Sequence, residues 1–208
     1  MIETITTEDE LRQVIAPSRS VNYDKSIDHI DALCARFIAM SPFITIASRN
    51  AHGKMDVSPK GDPPGFVQVL DEHTLAIPER PGNRRCDTFT NVLEEPAVGL
   101  IFLVPGMDET LRVNGTASIT AKPTVMQSMA IHGKTPVLAL LVHVEEAFIH
   151  CGKAPKRAGL WNPDTRIDRS SYPTMGEVVH CHANLDERGI PVEAAIEIAR
   201  DDYDNNVY

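Results

Sequence analysis

The sequence predicts a mainly β fold with flanking helices, in which an antiparallel sheet forms a small barrel. Six or seven segments of the 208-residue chain are rich in apolar and β-branched residues and follow one another at hairpin spacing. The helical patterns between them are short. Strands alternating with long helices would instead predict a parallel sheet, so an antiparallel barrel is the better prediction.

The chain opens with a polar lead-in, residues 1–25, which includes a short helical pattern over Glu8–Ile15. The next segment, Ser26–Met40, predicts an amphipathic helix that ends before Ser41-Pro42. Its apolar residues recur at three- and four-residue spacing: Ile27, Ile30, Leu33, Phe37 and Ile38.

The central part of the chain supplies the predicted strands. They are Phe43–Ser48, Lys54–Lys60, Phe66–Leu70, Thr74–Pro78, Ala97–Val104, Leu111–Thr120 and Val137–Cys151. The unbroken apolar composition of Ala97–Val104 predicts burial on both faces. A bend or exposed rim is expected at Glu145-Glu146, and a short helix over Asp87–Glu95.

The character of the sequence changes near the end of the last strand. We therefore predict a barrel domain over 26–161 and a helical extension with an acidic tail over 162–208. A helical turn is expected at Ala154–Trp161, and helices at Met175–Leu185 and Val192–Arg200. The last residues are expected to be a mobile tail.

The net charge of −9 is concentrated at the two ends of the chain. Residues 1–10 contribute −4 and residues 183–208 contribute −5, so the body is neutral. A nucleic-acid surface needs clustered Lys and Arg, which argues against such a partner. No apolar run reaches the roughly 20 residues of a membrane span, and the N-terminus resembles no export signal. A cytoplasmic protein without a membrane partner is expected.

The four cysteines form no CxxC pair, and free buried thiols are expected. Cys181 lies between His180 and His182, but no second group of ligands accompanies it. No metal site is therefore predicted.

Two stretches suggest binding chemistry. Pro81-Gly82-Asn83-Arg84-Arg85 would deliver two guanidinium groups to the N-terminus of a short helix, where an anion is favoured. The second stretch, Val57–Asp62, ends a strand with Ser58 and Lys60 on one face. Taken singly, these stretches also fit a solvated basic turn and an ordinary strand end.

Together, the two stretches resemble the pyridoxamine 5′-phosphate oxidase-like, FMN-binding split-barrel flavoproteins. The resemblance covers about residues 26–150 and includes Lys60-Gly61-Asp62, Asn83-Arg84-Arg85, Glu95-Pro96 and an Arg-Val-x-Gly strand at Arg112–Gly115. A subgroup of uncharacterised flavoproteins of about this length is also similar at Arg80–Arg85 and from Cys151 to Trp161. The resemblance implies a six-stranded antiparallel split β-barrel.

The resemblance also implies a cofactor, FMN, bound between the two subunits of a homodimer. Lys60, Arg84 and Arg85 would hold the phosphate, with Asn83 beside them. Val57, Ser58 and Pro59 would face the isoalloxazine ring, and Thr110 would lie near it. The partner chain would contribute Lys153, Arg157 and Trp161.

The sequence departs from the true oxidases in three respects. Their phosphate-binding Arg would fall at Met55, and their Tyr-Thr pair would fall at Pro78-Glu79. The C-terminal Trp and Arg-x-His features with which the oxidases recognise the pyridoxal substrate have no counterpart here. Oxidation of pyridoxamine phosphate is therefore not predicted. The leading hypothesis is an FMN-dependent oxidoreductase that acts on a small molecule or a nicotinamide donor, with no catalytic residue assigned. The alternatives are a flavin-storage protein without turnover and a relative that binds haem or a deazaflavin.

Overall fold

The computed structural model describes residues 4–207, which form one antiparallel sheet with helices around it. The strands are β1 Phe43–Arg49, β2 Met55–Gly61, β3 Gln68–Asp71, β4 Thr74–Pro78, β5 Ala97–Leu103, β6 Thr110–Thr120 and β7 Ala139–His150. The helices are α1 Glu8–Val14, α2 Val21–Asp24, α3 Ala32–Met40, α4 Asp87–Glu94, α5 Pro123–Ser128, α6 Lys153–Ala158, α7 Met175–His182 and α8 Val192–Asn205. Short 3₁₀ turns lie at Pro163–Thr165, Arg169–Ser171 and Asp186–Arg188.

The strand order is β2-β1-β5-β6-β7-β4-β3, with every neighbouring pair antiparallel. The prediction of a mainly β fold with flanking helices is confirmed. The sheet has seven strands rather than the six that the resemblance implies. The β3–β4 hairpin lies at the opposite end of the strand order from β1 and β2. In residues 4–207, no backbone ladder joins the outer strands β2 and β3, so the barrel is open along one side.

The core lies on one face of this sheet, where α3 and α4 cover it. Its largest fully buried side chains come from α3 and from β1, β4, β5, β6 and β7: Ile38, Ile44, Ile46, Leu75, Ile77, Leu100, Phe102, Leu111, Val113, Leu140, Val142 and Val144. They form one continuous apolar cluster. Helices α3 and α4 therefore pack on the same core, whereas a second, smaller cluster joins α5 to β4 and β7 through Met126, Ala76 and Ala139.

Helix α3 is shorter than the periodicity predicts. It begins at Ala32, since Asp31 caps it by accepting a hydrogen bond from the Cys34 amide at 2.8 Å. The preceding segment is drawn out toward β7, where Ile27 forms an isolated bridge with Ala147. The placement of Leu33 on the buried face is wrong, because this side chain is 71% exposed.

Strand β5 is not buried on both faces. Val98, Leu100 and Phe102 point into the core, whereas Ala97 and Ile101 are exposed. The strand is apolar throughout, but only its inner face is covered in this chain.

Strands β6 and β7 meet at a bulge close to the predicted bend. The register passes from Asn114 opposite Glu146 to Gly115 opposite Val144, which leaves Glu145 as the extra residue. A Cβ on Gly115 would lie 1.9 Å from the His143 carbonyl oxygen, so glycine is required there. The prediction of a bend at Glu145-Glu146 therefore matches a β-bulge.

The C-terminal residues form a helical hairpin of α7 and α8. The helices touch at Gly176, where a Cβ would lie 2.4 Å from the Ile196 Cα. Helix α8 continues to Asn205, so the expectation of a mobile tail directly after Arg200 is wrong. The acidic residues of this segment are exposed on a helix that is amphipathic.

The lead-in contains α1, which begins with a capping box between Thr7 and Glu10. Residues 1–3 of the predicted lead-in and Tyr208 of the predicted extension lie outside the described residues. The expectation of buried thiols is met by Cys34 alone, because Cys86, Cys151 and Cys181 are exposed. Spacing in the sequence does not report which face of an element a cysteine occupies.

Candidate functional site

A cavity of about 270 Å³ lies between β2 and the start of α4, and we call it the β2–α4 cavity. It is lined by Asp56, Val57, Ser58, Pro59, Lys60, Glu79, Asn83, Arg85, Cys86, Asp87, Thr88 and Phe89. Six of the eleven residues predicted for a cofactor site are among them: Val57, Ser58, Pro59, Lys60, Asn83 and Arg85. The fold therefore brings together two sequence stretches that are separated by more than twenty residues.

Strand alternation decides which groups of β2 enter this cavity. Asp56, Ser58 and Lys60 share the partly buried face of β2, whereas Val57 and Pro59 lie on its exposed face. The register places Ser58 opposite Ile46 and Lys60 opposite Ile44 on β1. Because both partners are buried core residues, this face of β2 is held at the edge of the apolar core.

Lys60 is the least exposed cation of the cavity, with a side chain that is 16% exposed. Its ammonium group donates to the Glu79 carboxylate at 2.5 Å and lies 5.5 Å from the centre of the Phe89 ring. This is close enough for a favourable cation–π contact. Lys60 is thus a positive charge in a partly desolvated setting.

The loop 79–86 connects β4 to α4 and forms one wall of the cavity. Asn83 shapes it, because its side-chain oxygen accepts a hydrogen bond from the Arg85 amide at 3.0 Å. Arg84 and Cys86 have φ values of 57° and 58°, in the left-handed region that side chains rarely adopt. Such strained backbone costs of the order of 1–3 kcal/mol per residue and is concentrated at functional loops.

A second ion pair anchors this loop to the strand end. Arg80 donates to the Asp62 carboxylate at 2.5 Å and to the Met129 carbonyl at 2.8 Å. The Asp62 side chain is only 1% exposed. Arg80 is therefore a structural anchor for the loop, although the resemblance includes it in the segment Arg80–Arg85.

The N-terminus of α4 faces the β2–α4 cavity. Its N-cap, Cys86, supplies no side-chain hydrogen bond to the first turn. The amide groups there and the helix dipole consequently favour an anion. Arg85 pairs with Asp87 at 2.7 Å, and this hydrogen bond raises the pKa of the Arg85 guanidinium above its ordinary value.

The two adjacent arginines point into different spaces. Arg85 lines the β2–α4 cavity, whereas Arg84 lines a neighbouring cavity of about 290 Å³. The two cavities share residues of β2 and of the loop: Ser58, Pro59, Lys60, Glu79, Asn83 and Cys86. Lys60 is therefore common to both, and each arginine accompanies it in one cavity.

The other four predicted residues lie outside the lining of the β2–α4 cavity. Thr110 begins β6, opposite His150 at the end of β7. Lys153 and Arg157 are exposed on α6. Trp161 is half-buried and donates from its indole nitrogen to the Met107 carbonyl at 2.7 Å. Within one chain, these residues form a separate group near the start of β6.

The residues of the cavity suit the phosphate end of FMN in part. Positive charge and hydrogen-bond donors come from Lys60, Arg85 and the open N-terminus of α4. The Lys60 ammonium group, however, already donates a hydrogen bond to Glu79. A volume of about 270 Å³ is just below the range of ligand pockets, about 300–1,000 Å³. A flavin ring would therefore extend beyond the cavity, along Val57–Pro59.

Several residues that line the cavity carry no pattern that predicts a place in the site. Glu79 and Phe89 contact Lys60, and Thr88 donates to Asp56 at 3.3 Å. The contacts of Lys60 with Glu79 and Phe89 give no local signal in the sequence, because they join segments that are far apart along the chain. Only the position of Asp87 and Thr88, next to the basic turn, could have indicated that they belong to the site.

Within residues 4–207, no three His, Cys, Asp or Glu side chains group so that they could hold a metal ion. Over the same residues, no helix combines the length and apolarity that crossing a membrane requires.

An open antiparallel barrel with a cavity that places Lys60 and Arg85 beside a helix N-terminus defines a split-barrel protein with a candidate ligand site. A family model described as pyridoxamine 5′-phosphate oxidase matches residues 30–151, which is more than half of the chain. The chain belongs to this family of flavin-binding split-barrel proteins, and the resemblance seen in the sequence is confirmed. No curated protein matches the chain.

Solved structures with a similar fold come from several bacteria. HupZ of Group A Streptococcus is 18% identical, with 58% of this chain and 93% of that chain covered and a TM-score of 0.48. An FMN-binding protein from Syntrophomonas wolfei is 12% identical, with 56% and 84% covered and a TM-score of 0.45. HutZ, the haem storage protein of Vibrio cholerae, is 13% identical, with 58% and 94% covered and a TM-score of 0.43. None of these likenesses identifies a ligand for this chain.

Proposed function

We propose that this protein binds FMN, with the phosphate in the β2–α4 cavity, and acts as an FMN-dependent oxidoreductase on a small molecule. One observation carries the proposal: Lys60, Arg85 and the uncapped N-terminus of α4 converge on one cavity. Arg84 and the same lysine both line the neighbouring cavity. Charge-assisted contacts of this kind are the strongest that proteins make to phosphate.

The flavin ring is assigned to the edge of β2. Val57, Ser58 and Pro59 line the cavity in sequence, so the ring would lie along their backbone and Asn83 would remain beside the phosphate. When bound, the flavin would supply the redox chemistry, and Val57–Pro59 would orient its ring. A substrate or a nicotinamide donor would react at the face of the ring that the chain does not cover.

A homodimer would complete this site. The outer face of β1, β2 and β5 carries exposed apolar side chains, with Phe43 39%, Met55 60%, Val57 63% and Ile101 38% exposed. Because the β2–α4 cavity is small, a flavin extending along β2 would meet whatever covers this face. We assign that role to a second copy of the chain, which would bring its Lys153, Arg157 and Trp161 to the ring.

The test of the cofactor assignment compares FMN with riboflavin, which lacks the phosphate. In the Lys60→Met variant, FMN affinity should fall about tenfold to a hundredfold, since a charge-assisted hydrogen bond contributes about 1.5–3 kcal/mol. Riboflavin affinity should change little. Fluorescence titration of the flavin-free protein measures both dissociation constants.

Lys54→Met is the matched control, because Lys54 is an exposed residue that is absent from the cavity lining. It should leave both affinities unchanged. Equal FMN affinity in Lys60→Met and wild type would contradict the assignment. A haem or deazaflavin spectrum in the purified protein would contradict the choice of cofactor.

Turnover is tested separately from binding. Anaerobic addition of NADH or NADPH to the FMN-loaded protein should bleach the flavin absorbance if the protein is an oxidoreductase supplied by a nicotinamide donor. A spectrum that stays unchanged with both donors would favour flavin storage.

A further inference from the structure

The charges of the β2–α4 cavity are already compensated within the chain. Lys60 is paired with Glu79 at 2.5 Å, and Arg85 is paired with Asp87 at 2.7 Å. Asp56 adds a third carboxylate, which accepts from the Thr88 hydroxyl at 3.3 Å. The lining therefore holds three acids and two bases. A dianionic phosphate that entered this arrangement would meet an excess of negative charge.

The neighbouring charges do not reverse this balance. Arg84 lies in the adjacent cavity, and Arg80 is paired with the buried Asp62. The open amides of α4 favour an anion, but a helix terminus carries only about half an elementary charge. Anion binding at Lys60 consequently requires that a carboxylate move away.

Glu79 is the carboxylate that competes with an anion for Lys60. It contacts the same ammonium group that a phosphate oxygen would need, and this contact is partly buried, with Lys60 16% and Glu79 27% exposed. The Arg85–Asp87 pair is more open, at 69% and 43%, so solvent screens it and its contribution is small. Asp56 interacts with a hydroxyl group rather than with Lys60.

We propose that Glu79 competes with the ligand's phosphate for Lys60 and so sets both the affinity of the site and its preference for anionic ligands. Glu79 follows β4 directly and begins the loop 79–86, so its side chain can leave Lys60 without disturbing the strand ladder. The ligand would replace one anion by another at the ammonium group. The inference rests on the proposed function, since it concerns the same cavity.

The experiment removes the charge of Glu79 and keeps its shape. Glu79→Gln should lower the FMN dissociation constant about tenfold, because one close repulsion and one competitor are lost. The riboflavin dissociation constant should change by less than about twofold, an energy smaller than half a kcal/mol. Fluorescence titrations of the full flavin-free chain give both values.

Glu95→Gln is the matched control. It also removes one negative charge from an ion pair, that with Arg49 at 3.5 Å, but Glu95 is absent from the cavity lining. It should leave both dissociation constants unchanged. If Glu79→Gln binds FMN no better than wild type, or more weakly, Glu79 holds Lys60 in place and the inference is overturned.

Inorganic phosphate separates this inference from the cofactor assignment. If wild type binds neither FMN nor riboflavin, the proposed function fails, and calorimetric titration with phosphate still tests the competition. Glu79→Gln should then bind phosphate more tightly than wild type, and equal affinity would overturn the inference.

A wild-type crystal structure with FMN or phosphate bound covers the case in which the variant does not fold. There the Glu79 carboxylate should lie beyond hydrogen-bonding distance of the Lys60 Nζ atom. An intact Lys60–Glu79 contact beside the bound anion would overturn the inference.

Discussion

At the scale of single residues, the four cysteines divide into one buried and three exposed thiols. We predict that a thiol reagent modifies Cys86, Cys151 and Cys181 rapidly in the folded protein and reaches Cys34 only after unfolding. Titration with and without urea should therefore give three and four reactive thiols. Rapid reaction of four thiols without urea would contradict the packing around α3.

Cys34 also implies a loss of stability at alkaline pH. Burial raises the pKa of its thiol to about 12, with the nearby Asp31 carboxylate adding to the shift. A cysteine in an unfolded chain ionises near about 8.5. Its contribution to stability is thus complete below that pH and is lost as the pH rises toward the folded pKa.

The residue scale is also where the sequence informs least about the site. Six residues that line the β2–α4 cavity could be predicted, because their two stretches carry recognisable patterns. Glu79 stands out in the sequence only as a departure from the true oxidases. Nothing there indicates its contact with Lys60, since that contact depends on how the whole sheet curls. Which of the two arginines accompanies Lys60 in the β2–α4 cavity depends on the left-handed backbone at Arg84.

At the scale of elements, periodicity predicted the strands well and the faces less well. The hairpins and the short helix α4 lie where their turn residues and apolar alternation place them. Helix α3 begins late because the cap at Asp31 and the bridge at Ile27 together override the longer apolar pattern. Strand β5 is apolar on its outer face too, so composition alone could not distinguish burial from an exposed apolar surface.

The two faces of α3 give a direct test at this scale. Phe37 is 4% exposed and Leu33 is 71% exposed, although both belong to the apolar pattern. Phe37→Ala should lower the free energy of unfolding by about 3–5 kcal/mol, because it leaves a cavity in the core. Leu33→Ala should change it by less than about 0.5 kcal/mol. Urea denaturation measures both, and equal losses would contradict the orientation of the helix.

At the scale of the whole molecule, the proposed dimer depends on the outer face of the sheet. We predict that Met55→Glu produces a monomer, because it places a charge on an apolar patch of this face. The new carboxylate would lie opposite Arg49 on β1, so the isolated fold should tolerate it. Light scattering at fixed concentration measures the mass.

Leu93→Glu serves as the control, since Leu93 is 78% exposed on α4 and lies away from that face. It should leave the mass unchanged. A wild-type protein that is already monomeric and yet retains FMN would contradict a site shared between chains.

The opening in the barrel links the ligand to the integrity of the fold. Strand β2 is at one edge of the sheet and β4 is next to the other. The Lys60–Glu79 and Arg80–Asp62 ion pairs connect the end of β2 to the loop that follows β4. A phosphate that displaced Glu79 would release the first connection and leave the second in place. Binding of the anion and local opening between the two edges of the sheet would then be coupled equilibria, because both break the contact of the Lys60 ammonium group with Glu79.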